Sequence, residues 1–283
     1  MAISTTTTLT ELLDQAIAEA MLTLQEQEVM RPLVENRSLV GFPGLQMAFP
    51  IYDPATAGDA TEGTDYTTTN TVQTTEVVIT CSEVVAAAQL TDLALMSTPQ
   101  NLGTDVGRIL GSAIAKKVDE DLVAYFTGFS QTVAGAGVAL TADHLWEARR
   151  YLEAAIAAKP YNLVLHPKQV WGPKGLTNLF TNVFEGSVPG SVSEDFARNG
   201  FSGMVQGFNV YADSNINDDV AAGGDAAGGA FSREAIVYVL KRDLEVEVER
   251  DASLRAQEMV ATLVKGDGEK RDNHGVYVLS DVS

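Results

Sequence analysis

The sequence predicts an α+β fold, and three features predict it. One long apolar stripe at helical spacing covers residues 104–127, short β-prone stretches lie between glycine- and proline-rich turns, and the C-terminal third alternates apolar residues with glutamates. A chain of 283 residues, 45% of them hydrophobic, can bury a sizeable core as one large domain or two smaller ones. Its 38 acidic and 19 basic side chains give a formal charge of -19, which repels nucleic-acid phosphates and anionic membrane surfaces. Direct DNA binding and membrane association are therefore not expected. Cys81 is the only cysteine, so an intrachain disulfide and a zinc site of several thiolates are excluded. Met1, Ala2, Ile3, Ser4 and four threonines form no secretory signal, and the uncharged stretches elsewhere are too rich in Gly, Thr or Asn to span a bilayer. A soluble protein made in the cytoplasm is expected.

Thr8 and Glu11 form a capping box, and Leu9, Leu12, Leu13, Ala16, Ile17, Ala20, Met21 and Leu24 come after it at helical spacing, predicting an amphipathic helix over 9–27. Pro32 and the Gly41, Pro43, Gly44 cluster cut it off from the rest of the chain, so its apolar stripe packs either on its own domain or on a neighbouring subunit. Residues 45–52 and 71–80 read as two strands. Between them, 53–70 carries Asp53, Asp59, Glu62, Asp65 and Tyr66 among threonines and glycines and has no aliphatic side chain larger than alanine apart from Pro54. Such a stretch builds no core of its own and reads as a two-stranded extended loop projecting from the body, ordered only against a partner surface. No basic residue lies between Arg37 and Arg108. That acidic half is either a solvated face or the counterpart of a basic patch on a neighbour.

The helix over 104–127 is expected to bury Val106, Ile109, Leu110, Ala113, Ile114, Leu122, Tyr125 and Phe126, with Gly128 as its stop. Lys116, Lys117, Asp119, Glu120 and Asp121 interrupt that stripe as a polar cluster whose opposite-charge pairs each add about 0.2–0.5 kcal/mol. A second helix opens at Thr141, runs its stripe through Leu145, Ala148, Leu152, Ala155 and Ile156, and ends before Pro160. A strand over 161–165 comes next, closed by His166 and Pro167, with a short helix from Lys168. Short strands between turns are expected over 199–215, and 221–230 reads as a small-residue loop in which Gly223, Gly224, Gly228 and Gly229 are loop glycines. Strands then cover 235–240, 244–249, 258–264 and 275–279. In the second of these, Leu244, Val246 and Val248 alternate with Glu245, Glu247 and Glu249, so one face is buried and one is wet.

Catalytic, cofactor-binding and metal residues are not expected. His144, His166 and His274 are far apart and in no metal-ligand spacing, and each reads as a structural histidine. Neither a nucleophile elbow nor a phosphate-binding glycine loop is present. Asp213, Asn215 and Asn217 open like a calcium loop, but Asp218 stands where the turn glycine belongs and Gly224 where the closing glutamate belongs. An Asx-rich turn bonding its own backbone is the better reading. A hydrolase using Asp119, Glu120 and His144 is disfavoured, because consecutive helix positions point two carboxylates about 100° apart.

The order of these parts resembles the HK97-type major capsid proteins of tailed bacteriophages. Val106 to Leu110, through Asp119, Glu120 and Asp121 to Phe126, Thr127 and Gly128, is similar to that family's spine helix. Leu163, Val164, Leu165, His166 and Pro167 resemble its axial-domain strand, and Gly207, Phe208, Asn209 and Val210 leading to Asp213, Ser214 and Asn215 resemble a later segment. The resemblance implies an HK97-like phage capsid fold: an N-terminal arm over 1–41, an extended loop over 42–82, a peripheral domain of 83–135 and 238–268 with the spine helix at 104–127, and an axial domain of 136–237 and 269–283. It implies a virion protein, assembled in the host cytoplasm, that forms hexamers and pentamers with itself around packaged DNA it does not read. A separate scaffolding protein, a portal and a cement protein are the further partners. Intersubunit contacts would come from the arm, through Leu12, Leu13, Ile17 and Met21, and from the loop, through Asp53, Asp59, Glu62, Asp65 and Tyr66. Two departures from the family matter. Some members crosslink through a loop lysine, and no lysine occurs over 45–80, so a shell without covalent crosslinks is expected. Some carry a long N-terminal scaffolding segment; here the arm helix starts close to Met1, favouring a separate scaffold. Decoration or tail-tube proteins are the alternative virion parts.

Overall fold

The computed structural model describes residue 20 and residues 28–52, 55–67, 74–93, 102–176, 204–220 and 223–282. In chain order its strands are β1 (Glu35–Ser38), β2 (Gln46–Tyr52), β3 (Thr74–Thr80), β4 (Ser82–Thr91), β5 (Thr132–Ala134) and β6 (Tyr161–Leu165). The later strands are β7 (Met204–Val205), β8 (Phe208–Ala212), β9 (Asp225–Ser232), β10 (Ile236–Asp251), β11 (Ala256–Glu269) and β12 (Gly275–Asp281). The helices are α1 (Leu102–Ala124), α2 (Ala142–Ala154) and the short α3 (Pro167–Trp171).

A four-stranded sheet in the order β1-β10-β11-β4 carries α1 on one face. Alternation along β10 sends Leu244 and Val246 inward and Glu245, Glu247 and Glu249 outward, as the sequence pattern requires. Met259, Ala261 and Leu263 of β11 join them beneath Val106, Leu110, Ile114, Val118 and Leu122 of α1. Each such fully buried aliphatic side chain contributes about 1.5–3 kcal/mol. β4 has no counterpart among the sequence expectations; its runs of small residues, Ala86, Ala87 and Ala88, are weak strand formers that register on β11 fixes instead.

A six-stranded sheet, β5-β12-β9-β6-β8-β7, makes the second core, covered by Leu145, Ala148 and Leu152 of α2. Phe126, in the 3-10 turn Tyr125–Gly128 that ends α1, reaches Phe231 of β9 at 5.5 Å and Phe129 at 6.3 Å, tying this sheet to the first core.

Three expectations are corrected. Residues 225–230 are not loop but part of β9, every residue of which is buried. Gly228 and Gly229 belong there because neighbours occupy the space of a side chain: an added Cβ would lie 2.6 Å from Leu165 and 2.6 Å from the Phe126 ring, respectively. In α1, Ile109 is 62% exposed and Ala113 is exposed, because the buried stripe advances in steps of four from Val106 to Leu122 and both residues lie one position, 100°, behind it. Finally, α2 ends at Ala154 rather than running to Pro160. Ile156 adopts φ 55°, and the bonds Ile156 N–H to Glu153 O (3.1 Å) and Ala157 N–H to Leu152 O (3.0 Å) close a Schellman motif that leaves Ile156 88% exposed.

Candidate assembly surfaces

β2 and β3 pair antiparallel from Gln46 opposite Thr80 to Tyr52 opposite Thr74, forming the hairpin that the two sequence-predicted strands require. Only its base is rooted. Phe49 and Ile79 pack with Leu39, Cys81, Val237 and Val239 in a small separate core. Gly266 and Gly268 of β11 let them approach, since a Cβ on either would stand 3.1 Å from the Ile79 side chain. Away from that base Tyr52 is 63% exposed and residues 55–67 are exposed throughout. Asp59, Glu62 and Asp65 therefore face solvent; Thr64 N–H bonds Thr61 O at 3.1 Å in a turn with Gly63 at φ 77°. The Tyr66 ring lies against Gly58, where a Cβ would fall 2.9 Å from the Tyr66 hydroxyl. Asp53 lies outside the described residues. Beside the hairpin root, Val40, Phe42 and Leu45 are exposed apolar side chains, and Lys241 Nζ donates to the Phe42 carbonyl.

Leu12, Leu13, Ile17 and Met21 lie outside the described residues, but Ala20 among them is helical and buried against α1 of the same chain. Gly111 makes that approach possible, because a Cβ there would stand 2.5 Å from the Ala20 carbonyl oxygen. The next described segment is pinned at several points. Asp119 of α1 accepts from Val29 N–H at 3.0 Å and Met30 N–H at 3.1 Å, Asn162 Nδ2 donates to Leu33 O at 3.2 Å, and Arg233 Nε donates to Val34 O at 3.1 Å. β1 then runs parallel to β10. Burial raises the Asp119 carboxyl, with Asp213 and Glu28 adding repulsion, and the two backbone N–H groups oppose the rise; the outcome is a pKa of about 6.

Asp119 is the residue that sequence reasoning missed, since it counted as one member of an exposed polar cluster. The readable signal was its place, one residue after Val118 and three before Leu122, on the buried side of the stripe. Its neighbours behave as surface residues: Glu120 pairs with Lys116 at 3.6 Å and Lys117 with Asp121 at 2.7 Å. Asp121 also binds Lys265 of β11 at 2.7 Å, and the fully enclosed Lys265 ammonium bonds Asp267 as well.

The groups a hydrolase would need are engaged separately. Asp119 faces the arm root, Glu120 faces solvent, and His144 caps α2, its Nδ1 accepting from Thr141 N–H at 3.2 Å. His166 caps α3 through Lys168 N–H at 3.2 Å, and His274 is buried near Glu234 at 3.8 Å; burial lowers both imidazoles. At the suspected calcium loop, Asp213 Oδ1 takes Asn215 N–H at 2.8 Å, Asn217 Oδ1 takes Asp219 N–H at 3.1 Å, and Asp218 pairs with Lys168 at 2.6 Å. These are Asx turns and an ion pair. Among the described residues, no three His, Cys, Asp or Glu side chains converge as metal ligands, and no helix is long and apolar enough to cross a membrane.

A long helix lying on a four-stranded sheet with two very long strands, a second mixed sheet and a projecting hairpin together make the HK97-like capsid fold. Solved structures share it over most of the chain. A chain from Mycobacterium phage Che8 is 18% identical, covers 89% of this chain and 90% of its own, and has a TM-score of 0.70. The capsid of cyanophage P-SCSP1u gives 16%, 89% and 87% with a TM-score of 0.67. The virus-like particle from Pyrococcus furiosus gives 10%, 94% and 98% with a TM-score of 0.62. Neither a protein-family model nor a curated protein matches the sequence.

Proposed function

We propose that this chain is the major capsid protein of a tailed bacteriophage, a structural protein without catalytic work that assembles with itself into the icosahedral head. The observation that carries the reading is the hairpin beyond Phe49 and Ile79, which holds exposed backbone and side chains over 55–67 yet has no core of its own. A segment of that kind is stabilised by a second surface, and in a closed shell every copy supplies one to its neighbour. The capsid of cyanophage P-SCSP1u, which shares the fold, points the same way.

In this reading the four-stranded sheet and α1 form the peripheral domain, 83–135 and 238–268, and the six-stranded sheet forms the axial domain, 136–237 and 269–283, around the hexamer and pentamer axes. The arm over 1–41 and the loop over 42–82 reach across subunits, with Leu12, Leu13, Ile17, Met21, Asp53, Asp59, Glu62, Asp65 and Tyr66 at the contacts. Contacts are noncovalent, because 45–80 offers no lysine. A separate scaffolding protein, made with it in the host cytoplasm, guides assembly, and a portal occupies one vertex. The net charge of -19 suits a wall along which packaged DNA slides without sticking.

Light scattering on the purified chain, alone and co-produced with the scaffolding protein, tests this. Particles many times the 30.1 kDa of one chain are expected under at least one assembly condition. A compact monomer under all of them contradicts the proposal.

A further inference from the structure

The arm root, residues 28–34, enters the body over a buried carboxyl group. Asp119 is fully enclosed, with Val29 and Met30 N–H groups on its two oxygens at 3.0 and 3.1 Å. Beside it, Glu28 gives one oxygen to Arg31 at 3.0 Å, while its other, Oε1, is buried with no hydrogen-bond partner. A third carboxyl comes from the turn after β8: Asp213 bonds Asn215 N–H through Oδ1, and its Oδ2 is likewise buried and unpartnered. The groups facing these three are Arg31, which lies 5.2 Å over the Tyr238 ring, the unpartnered Tyr238 hydroxyl, Asp243 and Lys265 acting on Glu28 from β10 and β11, and His166 acting on Asp213. Lys265 is already committed to Asp121 and Asp267. Arg31 is thus the one cation bonded within the group among the described residues.

An unpartnered carboxylate oxygen out of water is costly as an anion and tolerable as a carboxylic acid, whose proton can seek the acceptor beside it. Two of the three carboxyls are covered by the root itself: Glu28 belongs to it, and Val29 and Met30 roof Asp119. We propose that docking of the arm root on the spine helix is proton-linked, so that the root closes over Asp119 with uptake of a proton and holds more firmly in mildly acidic than in neutral solution.

The effect of docking on each group sets the sign. Lifting the root returns Asp119 and Glu28 to water and to ordinary carboxylate behaviour. With the root docked, burial pushes Asp119 up to about 6 and raises Glu28 against the pull of Arg31. The docked state binds protons more tightly, so acidification from pH 7 to pH 5 favours it by about tenfold through Asp119 alone. The bonds from Asn162 to Leu33 and from Arg233 to Val34 do not titrate in this range, which confines the change to residues 28–30. The linkage is a property of the single chain and stands whether or not chains assemble into shells.

Hydrogen exchange of the full chain, read by mass spectrometry as protection factors corrected for intrinsic exchange, tests it. Peptides covering 28–30 should gain about tenfold protection between pH 7 and pH 5. Asp119→Asn should flatten that dependence. Glu28→Gln keeps both bonds to Asp119 and removes one neighbouring negative charge, so it should move the midpoint to lower pH, which covers the case in which Asp119→Asn does not fold. Equal protection at the two pH values in the wild-type chain, or protection that falls on acidification, overturns the proposal.

Discussion

At Gly229 the Phe126 ring approaches so closely that a Cβ would fall 2.6 Å from it, and at Gly275 the Phe129 ring stands 2.3 Å from the same position. Gly229→Ala should therefore cost about 1–3 kcal/mol by overpacking, read from the shift in a denaturant midpoint at unchanged slope. Lys265 is the second sensitive position. It is 2% exposed and pairs with the half-buried Asp121 and Asp267, so Lys265→Met should destabilise by roughly 1–3 kcal/mol, because it removes the cation from both carboxylates while Asp121 keeps only Lys117. The pH dependences of Asp121 and Asp119, both on α1, run in opposite directions. At Asp121 burial opposes ionisation, but bonds from Lys117 and Lys265 outweigh it and lower the pKa, so its contribution is full above the usual carboxylate range and is lost as pH falls through the depressed value. At Asp119 the folded value is raised to about 6, so its contribution grows as pH falls from about 6 toward 4 and is withdrawn as pH rises through 6. Stability curves of wild type and Asp119→Asn between pH 4 and pH 7 separate the two. Gly229 shows what a sequence hides at this scale: it read as loop because the Phe126 ring that needs the space lies about a hundred positions away in the chain.

Among the elements, α2 ends on an unusual residue. A β-branched side chain at φ 55° costs on the order of 1 kcal/mol, and Ile156, at 88% exposure, has little burial to offset it. Ile156→Gly should raise thermal stability by about 1 kcal/mol, and a loss of similar size would show that the side chain has a contact worth more than its strain. The hairpin gives the element-scale test of assembly. Replacing 53–73 by a short Gly-Ser link keeps Phe49 and Ile79 in their core, so the unfolding midpoint of the chain should hold while particle formation is lost. Particles formed by the intact chain should dissolve to a single band on a denaturing gel; covalent ladders that survive reduction contradict the noncovalent reading. β-prone residues made the hairpin strands readable, period-two alternation the part of β10 over 244–249, and 3.6-residue periodicity α1 and α2. β4 was not readable, because its alanines are strand by register on β11 and not by propensity. Helix ends set by backbone geometry, as at Ile156, also escaped, since Pro160 offered a more obvious stop.

For the whole molecule, the two sheets, the helix across the first of them and the hairpin beyond both are arranged as in solved structures that are only 10–18% identical. Fold at such distance is kept by burial pattern, which explains why the order of elements carried more of the resemblance than any one motif. The candidate contact residues were legible only as exposure: Asp59, Glu62 and Asp65 lie on the surface as their composition requires, while what they meet depends on a second chain that one sequence does not contain. The acidic balance has its own consequence at this scale. With a charge of -19 on every copy, assembly brings like charges together, so it should quicken as ionic strength rises from about 0.01 to 0.15 M and the screening length falls from about 30 to 8 Å. Electron microscopy of the assembled material at subunit resolution tests the capsid role most directly. Closed shells of hexamers and pentamers, with the hairpin of each chain lying on its neighbour, are the expected result; open tubes, or shells in which residues 55–67 touch no other chain, would contradict it.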